Sequence, residues 1–142
     1  MATRAWDHVR AFALDLPCAV EDLPWGEPVI KVDHPPRRRN GLVYGPMFVW
    51  LSRPDVSAPA VSVKLEASYD QAVAVGAATP TTMSGLGQWG WLTVPLTDAD
   101  LDFVRDWVEE SYRNVAPKKL VGELDSRQPT GSRGPGLRAK GQ

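Results

Sequence analysis

An α+β domain is what this sequence predicts, with a helix at its N-terminus, a mainly antiparallel sheet in the middle and a long helix near its C-terminus. Three observations carry that reading. Trp6, Val9, Ala13 and Leu16 recur at helical spacing. Short runs rich in valine and aromatic residues, separated by proline, glycine and asparagine, fill the middle of the chain. An acid-capped stripe of Leu101, Val104, Trp107, Val108, Tyr112 and Val115 follows them. The order helix, strands, helix, strand, helix suits an antiparallel sheet covered by helices.

The first helix is predicted over residues 4–16, because Arg4, Asp7, Arg10 and Asp15 occupy the positions between the apolar ones and Pro17 stops it. A connecting segment runs through Trp25-Gly26 to a strand at 29–32, which ends in the turn chemistry of Asp33-His34-Pro35-Pro36. Arg37-Arg38-Arg39-Asn40-Gly41 leads into Leu42-Val43-Tyr44, and the Asn-Gly pair predicts two adjacent strands around a tight turn. Gly45-Pro46 separates these from a strand at 47–51. Val61, Val63 and Leu65 alternate with Ser62, Lys64 and Glu66, which buries one face and turns Lys64 to the other.

Ser68-Tyr69-Asp70-Gln71 has the spacing of a capping box, opening a short helix that Gly76 closes. Residues 77–88 read as loop and 89–94 as the last strand. Thr97-Asp98-Ala99-Asp100 caps the long helix, and Pro117 ends it. From Gly122 onward the chain is Gly, Pro, Ser, Gln and charge, too poor in apolar side chains to offset the entropy of ordering. The expected organisation is one domain over 1–119 and a disordered basic tail over 120–142.

Composition narrows the function classes. A chain of 142 residues with 43% hydrophobic side chains and six tryptophans can bury a real core. Its one cysteine, Cys18, rules out an intramolecular disulfide and the usual Cys/His zinc spacings. The charged residues of the first sixteen speak against a secretory signal, and no stretch reaches membrane-spanning length, so the expected compartment is the cytoplasm, with no membrane partner. The formal net charge of −1 hides an asymmetry: beyond residue 116 six basic side chains face two acidic ones, while the rest of the chain is acidic. Attraction for phosphate must then come from local patches or from the tail.

Catalytic material is sparse. His8 lies on the polar side of the first helix and His34 sits in a turn, neither with an evident partner. Cys18 follows a helix end beside Glu21 and Asp22, where a thiolate is disfavoured, and reads as a small, partly buried side chain. Asp98, Asp100, Asp102, Asp106, Glu109 and Glu110 lack the spacing of a calcium loop and read as a capped, solvated helix face. Gly85-Leu86-Gly87-Gln88-Trp89-Gly90 precedes a strand instead of joining strand to helix, so it is not a pyrophosphate cradle. No enzymatic activity, cofactor or metal is expected.

Binding has better raw material. Trp89 and Trp91 are predicted on one face of the last strand, Trp25 precedes the first, and Arg37, Arg38 and Arg39 project from a loop. Bases stack on aromatic rings flanked by basic side chains when single strands are bound. The competing reading is that these tryptophans are core and the arginines an ordinary solvated loop.

The run Leu16-Pro17, then Glu21-Asp22-Leu23-Pro24-Trp25-Gly26-Glu27-Pro28-Val29-Ile30-Lys31-Val32, resembles the opening of the MmcQ/YjbR family. Similar too are Met47-Phe48-Val49-Trp50-Leu51, Val61-Ser62-Val63-Lys64-Leu65, Trp91-Leu92-Thr93-Val94 and Glu110-Ser111-Tyr112, so the likeness extends over about residues 4–119. The resemblance implies a double-wing α/β domain with a curved antiparallel sheet, in a family usually labelled DNA-binding, a label resting on fold-level comparison. It also implies Trp25, Lys31, Lys64 and Trp91 as site candidates. Family members often carry a basic, histidine-containing stretch before the tryptophan of the last strand, which residues 85–90 lack. The arginine triplet stands in a longer turn that could replace that charge.

The expected function is DNA binding without catalysis, in a cleft of Trp25, Lys31, Lys64, Trp89 and Trp91 with Arg37, Arg38 and Arg39 beside it. The alternative is a protein-interaction or small-ligand module whose aromatic groove receives an apolar partner.

Overall fold

The computed structural model describes residues 2–24, 26–52, 58–81 and 87–127. Helix α1 (Ala2–Leu14) leads into strands β1 (Ala19–Asp22) and β2 (Val29–Val32), a small hairpin of β3 (Arg38–Arg39) and β4 (Leu42–Val43), then β5 (Met47–Leu51) and β6 (Ala60–Lys64). Helix α2 (Tyr69–Ala74), β7 (Thr79–Pro80), β8 (Trp91–Pro95), α3 (Leu101–Val115) and α4 (Lys118–Arg127) complete it. Six strands form one sheet in the order β1-β2-β5-β6-β8-β7, with every neighbouring pair antiparallel. The predicted α+β class, with an N-terminal helix, an antiparallel sheet and a long helix after it, is the fold observed.

Alternation along the strands assigns the faces. Ile30, Val32, Val49, Leu51, Val61, Val63, Leu92 and Val94 are buried in the core with Trp6, Val9 and Ala13 of α1 and Val104, Val108 and Tyr112 of α3. A register shift between Ile30 and Lys31 leaves Phe48 as an extra residue on β5. Such a bulge lets Phe48 and Val49, although consecutive, both enter the core. The Phe48 ring meets Tyr112 edge-on, centroids 5.1 Å apart.

The Ser111-Tyr112 pair stitches α3 to the sheet at that bulge. Continued one step, the β5–β6 register would pair Phe48 with Lys64. Instead the buried Ser111 hydroxyl stands between them, accepting from the Lys64 N–H at 2.9 Å and donating to the Phe48 carbonyl at 2.6 Å. Asn114 Nδ2 donates to the Lys64 carbonyl at 2.8 Å. Tyr112 donates to the Pro17 carbonyl at 2.7 Å, locking the end of α1, and its burial pushes the phenol up to about 12.

Several expectations are corrected. Residues 120–127 of the expected disordered tail belong to helix α4 (Lys118–Arg127), and Leu120 and Leu124 are buried in the core. These two leucines give the segment the apolar anchor that its Gly- and charge-rich composition obscures, and Arg113 of α3 pairs with Asp125 at 2.7 Å. Residues 128–142 of the expected tail lie outside the described residues. Strands β1 and β7 replace what reads as connection and loop. Ser68 makes no side-chain cap to α2; the Glu110 carboxylate, from α3, accepts from the N–H groups of Glu66 and Ser68 at 3.0 and 3.2 Å. Thr97-Asp98-Ala99-Asp100 does cap α3, through Asp100, which accepts from the Asp102 N–H.

The last strand starts two residues late. Residues 87–89 form a 3₁₀ turn, and Gly90, at φ +95°, brings the chain so close to β6 that a Cβ there would stand 2.9 Å from the Leu65 carbonyl. Trp89 and Trp91 therefore do not share a strand face: Trp89 is 65% exposed and Trp91 is buried. Among the described residues no helix is long and apolar enough to cross a membrane.

Candidate nucleic-acid interface

Asn40 and Gly41 both take positive φ, 53° and 80°, which is the backbone a two-residue hairpin turn requires. That turn sets the register Arg39 to Leu42 and Arg38 to Val43, and the Tyr44 N–H donates to the Arg37 carbonyl at 2.9 Å. Side chains alternate across so narrow a ribbon, so Arg37 and Arg39 emerge with Tyr44 on one side and Arg38 on the other. The Arg37 and Arg39 guanidiniums lie 5.0 and 5.8 Å from the centroid of the Tyr44 ring. Both arginines are exposed, the ring is 47% exposed, and neither guanidinium has a carboxylate partner among the described residues. Arg38 is held instead by Asp33 at 2.9 Å.

A part-buried clamp fastens this hairpin to the sheet. Asp22 of β1 accepts from Lys31 Nζ of β2 at 3.2 Å and from the Val43 N–H of β4 at 2.7 Å, while Lys31 also donates to the Val43 carbonyl at 3.0 Å. Burial opposes ionisation of Asp22, but the hydrogen bonds from Val43, Lys31 and Leu23 outweigh it and hold the carboxyl below its usual range. Lys31 is thus a structural cation.

The predicted cleft does not assemble. Lys31 is committed to Asp22 and Trp91 is buried, so neither offers a free charge or an open ring. Lys64 sits opposite Trp91 in the β6–β8 register, two strands away from Lys31, and has no ion pair among the described residues. Trp89 is open to solvent, and Trp25 lies outside the described residues. What the fold does bring together is Arg37, Arg39 and Tyr44. The ring was missed in the sequence, although pairing outward from the Asn-Gly turn places residue 37 opposite 44.

The other candidates are placed without a site around them. His8 is exposed and His34 half-buried. Cys18 is exposed, on a left-handed backbone at φ 60°, not partly buried, because the chain reverses there between α1 and β1. No group of three or more metal-ligating side chains forms among the described residues.

The model of the YjbR family matches residues 14–114, well over half of the chain. The chain belongs to the YjbR family. Among solved structures it is similar to the Deinococcus radiodurans protein DR2400, described with a DUF419 domain, at 19% identity and a TM-score of 0.64, over 84% of this chain and 86% of that one. No curated protein matches. In this YjbR domain the Ser-Tyr pair that carried much of the sequence likeness has a mechanical role, bridging α3 to the strands and to the end of α1.

Proposed function

We propose that this YjbR protein binds nucleic acid through the β3–β4 hairpin, Arg37 and Arg39 contacting phosphates while Tyr44 offers a ring to a neighbouring base or sugar, with no catalytic step. The observation that carries the reading is the pair of exposed guanidiniums over one half-exposed tyrosine, without carboxylate partners among the described residues. Two exposed guanidiniums 5.0 and 5.8 Å from one ring centroid offer forked donors that match phosphate geometry. The hairpin is stiffened at its base by Asp22 and Lys31, so few new degrees of freedom are lost on binding. Because the rest of the folded chain is acidic, affinity should be modest and strongly salt-dependent.

Fluorescence anisotropy of labelled single- and double-stranded DNA against salt tests this, comparing the wild-type chain, R37A/R39A and a chain ended at Arg127. Loss of two phosphate contacts should lower the slope of log K against log salt by about 1.8 on duplex and about 1.4 on single strands. Binding that survives in R37A/R39A with an unchanged slope refutes the hairpin as the site. Binding lost only on truncation assigns it to residues 128–142.

A further inference from the structure

On the face of the sheet opposite the helices, a cleft of about 190 Å³ opens over β5, β6 and β8. The strand register brings Trp50, Ser62, Thr93 and Thr79 into one row across four strands. Thr93 Oγ1 sits at the centre of a hydroxyl chain, 3.1 Å from Ser62 Oγ and 2.9 Å from the buried Thr81 Oγ1. Three hydroxyls sharing two contacts leave one proton and several lone pairs for a further partner. At the other end the Trp50 indole donates to Glu27 Oε1 at 3.0 Å, and the second oxygen of Glu27 has no partner among the described residues.

This lining selects a chemistry. One wall is a carboxylate, which only accepts; the other is hydroxyl, which does both. Among the described lining residues the one formal charge is the Glu27 carboxylate. The volume is below that of a drug-sized pocket and suits a fragment-sized ligand. A heterocycle with two adjacent N–H donors on one edge and acceptors on the other matches both walls.

We propose that the Glu27–Thr93 cleft is a recognition site for a nucleobase-sized heterocycle, of which guanine is the type, its paired N–H donors on Glu27 and its acceptor edge on the Ser62–Thr93–Thr81 hydroxyls. The site is separate from the hairpin and does not depend on its function. The probe is deoxyguanosine, titrated into the labelled full-length protein while the Trp50 indole and Thr93 amide resonances are followed. Saturable shifts of both are expected. Deoxyinosine, lacking the exocyclic amine, should bind about tenfold more weakly, as should deoxyguanosine to the Glu27→Gln variant, which keeps an acceptor for the Trp50 indole but loses the charge. Thr93→Val should weaken binding from the opposite wall, and R37A/R39A should leave it unchanged. Shifts that do not saturate, equal affinity for deoxyinosine, or undiminished binding by Glu27→Gln would overturn the assignment; dependence on Arg37 and Arg39 would relocate the ligand to the hairpin.

Discussion

Replacing Ser111 by alanine removes one oxygen atom from the place where α3, β5 and β6 meet. That oxygen is fully buried and engaged on both sides, by the Lys64 N–H at 2.9 Å and the Phe48 carbonyl at 2.6 Å. The two backbone groups have no alternative at that separation, because the ladder between β5 and β6 ends one pair earlier, at Val49 and Val63. Leaving a buried donor or acceptor unsatisfied costs about 1–3 kcal/mol each, so Ser111→Ala, which orphans one of each, should destabilise the domain by about 2–6 kcal/mol. Against a total of about 5–15 kcal/mol this is a large loss. Urea unfolding followed by tryptophan fluorescence should show the midpoint fall with an unchanged slope, since the surface exposed on unfolding is the same. A loss below about 0.5 kcal/mol would refute the reasoning. It would mean that the strands close up and pair Lys64 directly with Phe48, making the hydroxyl a spacer and not a strut.

Tyr112→Phe keeps the edge-on contact with Phe48 but drops the bond to Pro17, and should cost about 1–2 kcal/mol in the same assay. Because burial raises the Tyr112 phenol from 10.0 to about 12, its contribution is complete below pH 10 and is lost as pH climbs toward 12, so the wild type should lose stability over that interval more steeply than Tyr112→Phe. Leu124→Ala should cost about 2–4 kcal/mol by thermal unfolding. Asp22→Asn should speed hydrogen exchange at the Val43 amide; in the wild type the lowered Asp22 carboxyl makes the clamp complete above about pH 4, and it fails as pH falls through the folded value.

Periodicity alone determined much of this protein. The stripes of α1 and α3, the alternation of β6 and the Asn-Gly turn of the β3–β4 hairpin are local signals, each written within a few residues and each observed. Tertiary structure decided how polar groups are spent, because a partner distant in sequence leaves no local trace. Lys31 reads as a free cation until Asp22 and Val43 fold against it, and Trp91 as a stacking ring until the sheet buries it. The capping box spelled by Ser68 and Gln71 is not made: the Ser68 N–H that Gln71 would receive goes to Glu110, 42 residues away, whose charged oxygen is the stronger acceptor. Helix α4 follows the same rule: its composition is that of a tail, and only the core that receives Leu120 and Leu124 offsets the entropy of ordering it.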